Sequence, residues 1–215
     1  MKAEKLAQSA KAASDILAHA STDEKNRVLL RLAEKLAESQ DYLYEENAKD
    51  ISAAQKEGLA KSLIDRLRMD DKIVREMQGS LEDVAALPDP VGEIIKTWKR
   101  PNDLLVGRMR IPIGVILIIY ESRPNVTIEA FSLCLKSGNC VILKGGSEAY
   151  HSNKALHKLI VETLEGSNIP ADAVQFVETA DREFIYSLLE REEEIDLVIP
   201  RGGEALIRSI VERSR

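Results

Sequence analysis

The sequence predicts an α/β protein in which N-terminal helices precede a doubly wound, Rossmann-like parallel sheet. Three observations predict it. Apolar residues recur at helical spacing through residues 2 to 86, a break with two prolines follows at Leu87-Pro88-Asp89-Pro90-Val91-Gly92, and short apolar runs then alternate with helical stretches.

The first helix carries Leu6, Ala10, Ala13 and Leu17 on one stripe, as a period of 3.6 residues requires, and ends near His19. Ser21 and Glu24 form a capping-box pair that opens a second helix, whose Val28, Leu29, Leu32 and Leu36 share a face. A third helix is stopped near Gly58. Charged residues such as Glu34, Lys35 and Glu38 fill the opposite faces and read as solvated surface. In the break, each proline lacks an amide donor and restricts its predecessor, so no helix continues. It divides a helical part, 1–90, from a Rossmann-like region, 91–215.

Beyond the break, Leu104–Arg110 reads as a strand, and Val115–Tyr120 is an unbroken apolar run expected of a strand covered on both faces. Cys140–Leu143, Val174–Val177 and Leu197–Pro200 are further short β-type runs. Helical stretches at Val126–Lys136, Glu148–Leu164 and Arg182–Glu190 separate them. Strand-helix-strand order implies parallel pairing, right-handed crossovers and helices on both faces.

Composition narrows the function classes. With 215 residues, 44% of them hydrophobic, a sizeable core is assured. The 30 Lys and Arg against 36 Asp and Glu leave a net charge of -6, no basic excess for gripping phosphate backbones, so nucleic acid is not an expected partner. The N-terminus MKAEKLAQSAKAASDILAHA mixes lysines and polar residues among its apolar ones, which excludes a signal-peptide core or a spanning segment there. A cytoplasmic protein without a membrane partner is expected. Cys134 and Cys140 have no CxxC spacing or histidine partner nearby and read as buried free thiols. His151 and His157 fall on roughly opposite faces of one predicted helix, so they read as surface polar residues and no metal is expected.

In such sheets, ligands bind outside the carboxyl ends of the strands. Three segments sit there. After Tyr120 comes Glu121-Ser122-Arg123-Pro124-Asn125-Val126-Thr127. After Leu143 comes Lys144-Gly145-Gly146-Ser147-Glu148, a cation, two glycines permitting close backbone approach, and a serine placed to cap the next helix. After Ile199 comes Pro200-Arg201-Gly202-Gly203-Glu204, a second glycine pair opening a helix. Free amides beside Lys144 or Arg201 suit a phosphorylated ligand. The chain has no G-x-G-x-x-G fingerprint and no P-loop, and Ser122, Ser132 and Ser147 have no G-x-S-x-G context.

At these segments the chain resembles the γ-glutamyl phosphate reductases of the aldehyde dehydrogenase superfamily. The resemblance is carried by Ile119-Tyr120-Glu121-Ser122-Arg123-Pro124-Asn125-Val126-Thr127, by Leu135-Lys136-Ser137-Gly138-Asn139 with Val141-Ile142-Leu143-Lys144-Gly145-Gly146-Ser147-Glu148-Ala149, and by Ile199-Pro200-Arg201-Gly202-Gly203. Lesser similarity at Leu63–Leu67 and Asp89–Glu93 extends it over essentially the whole chain.

The resemblance implies an aldehyde dehydrogenase-like cofactor domain and NADPH-dependent reduction of L-glutamyl 5-phosphate to L-glutamate 5-semialdehyde and phosphate, in proline biosynthesis. On that basis Asn125 is the oxyanion donor, although before Val126 it also suits a helix N-cap. Lys144 contacts the adenosine ribose side of NADPH, within reach of the 2′-phosphate, and Gly202 and Gly203 form the turn beside the diphosphate. Glu121, Ser122, Gly145, Gly146, Ser147, Pro200 and Arg201 complete the implied cofactor-binding set. Arg123 and Asn125 face substrate, with Arg123 and Arg201 each open between its carboxylate and a phosphate. The family's nucleophilic cysteine belongs to a catalytic domain beyond the region matching Arg215, and neither Cys134 nor Cys140 occupies its motif. The chain is therefore expected to be truncated in mid-helix at Ser214-Arg215 and inactive alone. The competing reading is a nucleotide-binding module that has lost the chemistry. A homo-oligomer through an uncovered sheet edge stays open.

Overall fold

The computed structural model of the chain describes residues 2–213. Helix α1 (Ala3–Leu17) buries Leu6, Ala10, Ala13 and Leu17, the stripe its periodicity predicts. At the start of α2 (Thr22–Glu38) the Ser21 hydroxyl accepts the Glu24 amide at 3.2 Å. Only this half of the capping box forms, because the Glu24 carboxylate accepts the Asn168 amide instead, also at 3.2 Å. Helix α3 (Gln40–Lys56) stops before Gly58, whose φ of 71° costs a glycine little. Helices α4 (Lys61–Leu67) and α5 (Asp71–Ala86) follow, the second capped by the Asp70 side chain on the Ile73 amide. The chain leaves α5 just before Pro88, as the proline argument requires.

The strand expected at Leu104–Arg110 is present as β2 (Leu105–Met109), but it pairs only with β1 (Ile94–Lys99), which no apolar pattern in the sequence announces. Nearly every residue of this antiparallel hairpin is exposed. Strands with neither face buried carry no alternation to read.

The main sheet contains β3 (Val115–Tyr120), β4 (Cys140–Lys144), β5 (Val174–Phe176) and β6 (Leu197–Arg201), all parallel, in the order β5-β4-β3-β6. Their links carry α6 (Asn125–Lys136), α7 (Tyr150–Leu164) and α8 (Arg182–Leu189), and α9 (Glu204–Val211) comes after β6. Helices α6 and α7 pack together against the strands, while α1 also contacts β3, β4 and β5 and packs on α8. Buried throughout, β3 and β4 match the apolar runs that predicted them. Because β6 returns to the far side of β3 from β4, the winding reverses at β3, as in a doubly wound fold. Ser214 and Arg215, expected within a helix, lie outside the described residues; α9 closes at Val211.

One apolar cluster runs from α1, α2 and α5 through all of β3 to α7, so helical layer and sheet share a core. An ionic staple crosses it. The Lys25 ammonium, 1% exposed, lies 2.5 Å from the Asp89 carboxylate, and buried Lys136 donates to Asn26 Oδ1 at 2.6 Å and Ala85 O at 2.9 Å. Lys25 is an exception to the solvated charge expected of the N-terminal helices, since buried charge survives only when paired or hydrogen-bonded. No described helix is long and apolar enough to cross a membrane.

Candidate functional site

The register brings the three polar segments together at one sheet edge. Ile119 pairs with both Lys144 and Pro200, and Tyr120 with Arg201, so the loops after β3, β4 and β6 start side by side. Two cavities open there. The larger, about 640 Å³, takes Lys144, Gly145, Gly146, Ser147 and Glu148 together with Asp50 and Glu57 at the end of α3 and the segment after β5, Val177–Ala180. The smaller, about 370 Å³, takes Glu121, Ser122, Arg123, Arg201, Gly202 and Gly203 with Arg66 and Tyr120. Pro200 is spent in the sheet.

Asn125 lies beside the smaller cavity in the first turn of α6. Pro124 holds the cap position, so the N-cap reading of Asn125 is corrected: at the first helical position its side chain donates instead to Glu129 Oε1 at 3.0 Å, one turn on. Glu129 Oε2 accepts from Arg201 Nη1, also at 3.0 Å. No motif in the sequence singles out Glu129; its spacing of four from Asn125 is the one local signal of the pair.

Ser147 caps nothing; it opens a single 3-10 turn, and α7 starts at Tyr150. The capping oxygens come from Asp50 on α3, whose carboxylate accepts the amides of His151 at 3.0 Å and Ser152 at 2.8 Å and the Ser152 hydroxyl at 2.6 Å. Burial raises the Asp50 carboxyl pKa above the usual range despite these bonds. No local pattern could have named a cap about a hundred residues away.

Three of the four glycines in these turns leave room that the protein itself fills. A methyl carbon on Gly145 would lie 2.1 Å from Asn153 Nδ2, on Gly146 2.2 Å from Glu148 Oε1, and on Gly202 2.7 Å from Leu206 Cδ2 and 2.8 Å from Glu121 Cδ. Only Gly203 faces open space. Asn153 Nδ2 is a buried donor without a partner among the described residues, while its Oδ1 accepts the Thr127 hydroxyl, which in turn meets the Tyr120 hydroxyl at 2.7 Å.

Lys144 is 8% exposed, and its ammonium donates to the Gly145 carbonyl at 2.5 Å. Burial lowers its pKa, and the neighbouring Glu148 carboxylate opposes the shift. The side chain is a desolvated cation with a backbone partner, an arrangement that an anionic ligand would stabilise. Ser122 has the left-handed φ of 38°, which costs a non-glycine residue about 1–3 kcal/mol and persists only when neighbours enforce it.

His151 and His157 do not converge. His157 is half-buried rather than on the surface, its ring 5.7 Å from that of Phe176, and burial lowers its pKa. Cys134 and Cys140 are free and buried, with burial pushing each thiol up to about 12. Cys140 begins β4, at the opposite end of the strand from the site. Neither supplies a nucleophile there.

The aldehyde dehydrogenase family profile matches residues 1–215. Gamma-glutamyl phosphate reductases of Sulfurihydrogenibium sp. (strain YO3AOP1) and Aquifex aeolicus (strain VF5) are each 55% identical, covering 99% and 90% of this chain and 48% and 45% of their own length. The chain thus spans about half the length of the curated relatives it matches. The crystal structure of the gamma-glutamyl phosphate reductase from Thermotoga maritima has a TM-score of 0.97 at 43% identity, over 100% of this chain and 52% of that one. A salicylaldehyde dehydrogenase from Pseudomonas putida G7, 22% identical with a TM-score of 0.78 over 99% of this chain and 41% of that one, shares the fold. With its sheet, its polar edge and its whole matched length in agreement, the chain belongs to the aldehyde dehydrogenase family.

Proposed function

We propose that this chain is the cofactor-binding half of a γ-glutamyl phosphate reductase, reducing L-glutamyl 5-phosphate to L-glutamate 5-semialdehyde and phosphate with NADPH in cytoplasmic proline biosynthesis. One observation carries the cofactor assignment: Lys144, desolvated and, among the described residues, without a carboxylate partner in hydrogen-bond contact, borders a cavity of about 640 Å³ at the carboxyl edge of a doubly wound sheet. The relatives' names, gamma-glutamyl phosphate reductase, support reduction of that acyl phosphate.

The residues fit a nicotinamide nucleotide. The Lys144 ammonium would meet the adenosine ribose and its 2′-phosphate, with Gly145, Gly146 and Ser147 lining the same space. Free amides at the start of α9, beside Gly202 and Gly203, suit the diphosphate, and Glu121, Ser122 and Arg201 frame that side. The bound cofactor supplies a hydride. Asn125 keeps one N–H beyond its bond to Glu129 and presents it to the developing oxyanion. Arg123 and Arg201, both exposed, offer cations to the substrate carboxylate or phosphate. The outer side of β6 has no strand neighbour among the described residues, which supports self-association.

A second reading, a nucleotide-binding module without chemistry, is favoured by the inert state of both cysteines. Titration calorimetry of the chain with NADPH and with NADH tests the cofactor assignment. Binding that weakens in Lys144→Ala, more for NADPH than for NADH, supports the cradle and its 2′-phosphate contact; undiminished binding removes Lys144 from it. The mass of the natural gene product separates the two readings, since a polypeptide about as long as the curated relatives supports the reductase and one ending at Arg215 the module.

A further inference from the structure

Glu148 has no part in the proposed reaction or in the cofactor cradle. It sits in the 3-10 turn after β4 and lines the larger cavity, yet its carboxylate bonds Ser122, which lines the smaller one. There Glu148 Oε1 accepts both the Ser122 amide, at 2.8 Å, and the Ser122 hydroxyl, at 2.6 Å. Both bonds are charge-assisted, and they grip the one residue of the site loops that is not glycine and has positive φ. Gly146 makes the grip possible. A methyl carbon there would sit 2.2 Å from Glu148 Oε1 and 2.5 Å from its Cδ, in the space the carboxylate crosses to reach Ser122.

Ser122 sets the path of the backbone into α6. Arg123 and Pro124 come next, and α6 begins at Asn125, so the backbone angle at Ser122 fixes where that helix starts and where the Asn125 amide lies. We propose that Glu148 is a positioning residue: its carboxylate pins Ser122 in the left-handed conformation and so holds the Glu121–Asn125 loop beside the nucleotide cavity. The inference rests on the reading that the two cavities serve one nucleotide-dependent reaction.

Hydrogen exchange of the whole chain, with NADPH titration alongside, tests it on Glu148→Ala, Glu148→Gln, and Glu148→Ala combined with Ser122→Gly. In Glu148→Ala the Ser122 amide exchanges roughly tenfold faster or more, while Val141 and Ile142 in β4 keep their protection and report an intact fold. NADPH affinity falls by roughly tenfold as the loop loosens. Glu148→Gln retains both properties, since an amide oxygen can accept the same two bonds. Adding Ser122→Gly to Glu148→Ala restores the exchange protection of the Val126 and Thr127 amides, which bond the Arg123 and Pro124 carbonyls at the start of α6, because glycine adopts this φ without strain.

Unchanged Ser122 exchange in Glu148→Ala overturns the proposal. So does a Glu148→Gln variant as impaired as Glu148→Ala with no rescue by Ser122→Gly, which would mean that the carboxylate acts on the ligand directly. If the unaltered chain does not bind NADPH, the nucleotide reading fails by itself, and the exchange of Ser122 still decides whether Glu148 pins the loop.

Discussion

Asn125, at the start of α6, and Arg201, at the end of β6, are held on the two oxygens of one carboxylate, with Glu129 3.0 Å from each. The bridge aligns the proposed oxyanion donor with a proposed substrate cation. It does so in the free protein, so neither group must be ordered when substrate arrives.

Glu129→Ala breaks this bridge at a partly exposed site, where an ion pair is worth about 0–1 kcal/mol. The expected fall in Tm, by thermal unfolding, is no more than about 4 °C. Asn125→Ala is expected to leave NADPH affinity within about twofold, because its free N–H serves the substrate oxygen rather than the cofactor. Calorimetry checks this against Lys144→Ala; equal losses in the two variants would remove the distinction between their roles.

Asp89→Asn is expected to cost about 3–5 kcal/mol in urea unfolding at pH 7, since it leaves the Lys25 ammonium buried without its counter-charge. Burial pushes the Asp89 carboxyl up, but bonds from Lys25, the Val91 amide and the Thr22 hydroxyl outweigh it and hold the pKa below the usual range. A carboxyl lowered on folding contributes stability in full above its unfolded-state pKa, about 3.9, and loses it as pH falls through the folded-state value. The gap between the two proteins should therefore narrow below about pH 4.

The thiols of Cys134 and Cys140 are expected to resist a disulfide reagent at pH 8 and to react together once the chain is denatured. Burial raises both to about 12, so their contribution to stability is full at neutral pH. It is lost as pH rises from the unfolded-state value, about 8.5, through the folded-state value. Rapid native-state labelling of either thiol would contradict the packing described.

Gly146→Ala and Gly203→Ala should part company. A methyl group at Gly146 collides with the Glu148 carboxylate and displaces it from Ser122, so this variant is expected to lose NADPH affinity as Glu148→Ala does. Nothing lies within 4 Å of the carbon added at Gly203, a helix cap with ordinary φ, and the cost there is at most about 1 kcal/mol. Hydrogen exchange at the Ser122 amide and thermal unfolding of the pair check this; equal Ser122 exchange in the two would show that the room at Gly146 is not what Glu148 needs.

The order of the main-sheet elements, and the edge where the polar loops after β3, β4 and β6 gather, are already legible in the residue pattern. The helix stripes, the prolines at Pro88 and Pro90, and the apolar runs Val115–Tyr120 and Cys140–Leu143 are local signals, because burial on one or both faces imposes a period or an unbroken run on neighbouring residues. The same locality explains what the pattern conceals. The exposed hairpin at Ile94–Met109 has no buried face to write a pattern, and the charges of Lys25 and Lys136 look like surface until the layers close over them. It takes the packed molecule to make Asp50 rather than Ser147 cap α7, to join Asn125 to Arg201 through Glu129, and to bring Glu148 back onto Ser122. Each requires groups from different segments to meet within about 3 Å, a distance set by how strands register and helices pack rather than by the residues on either side.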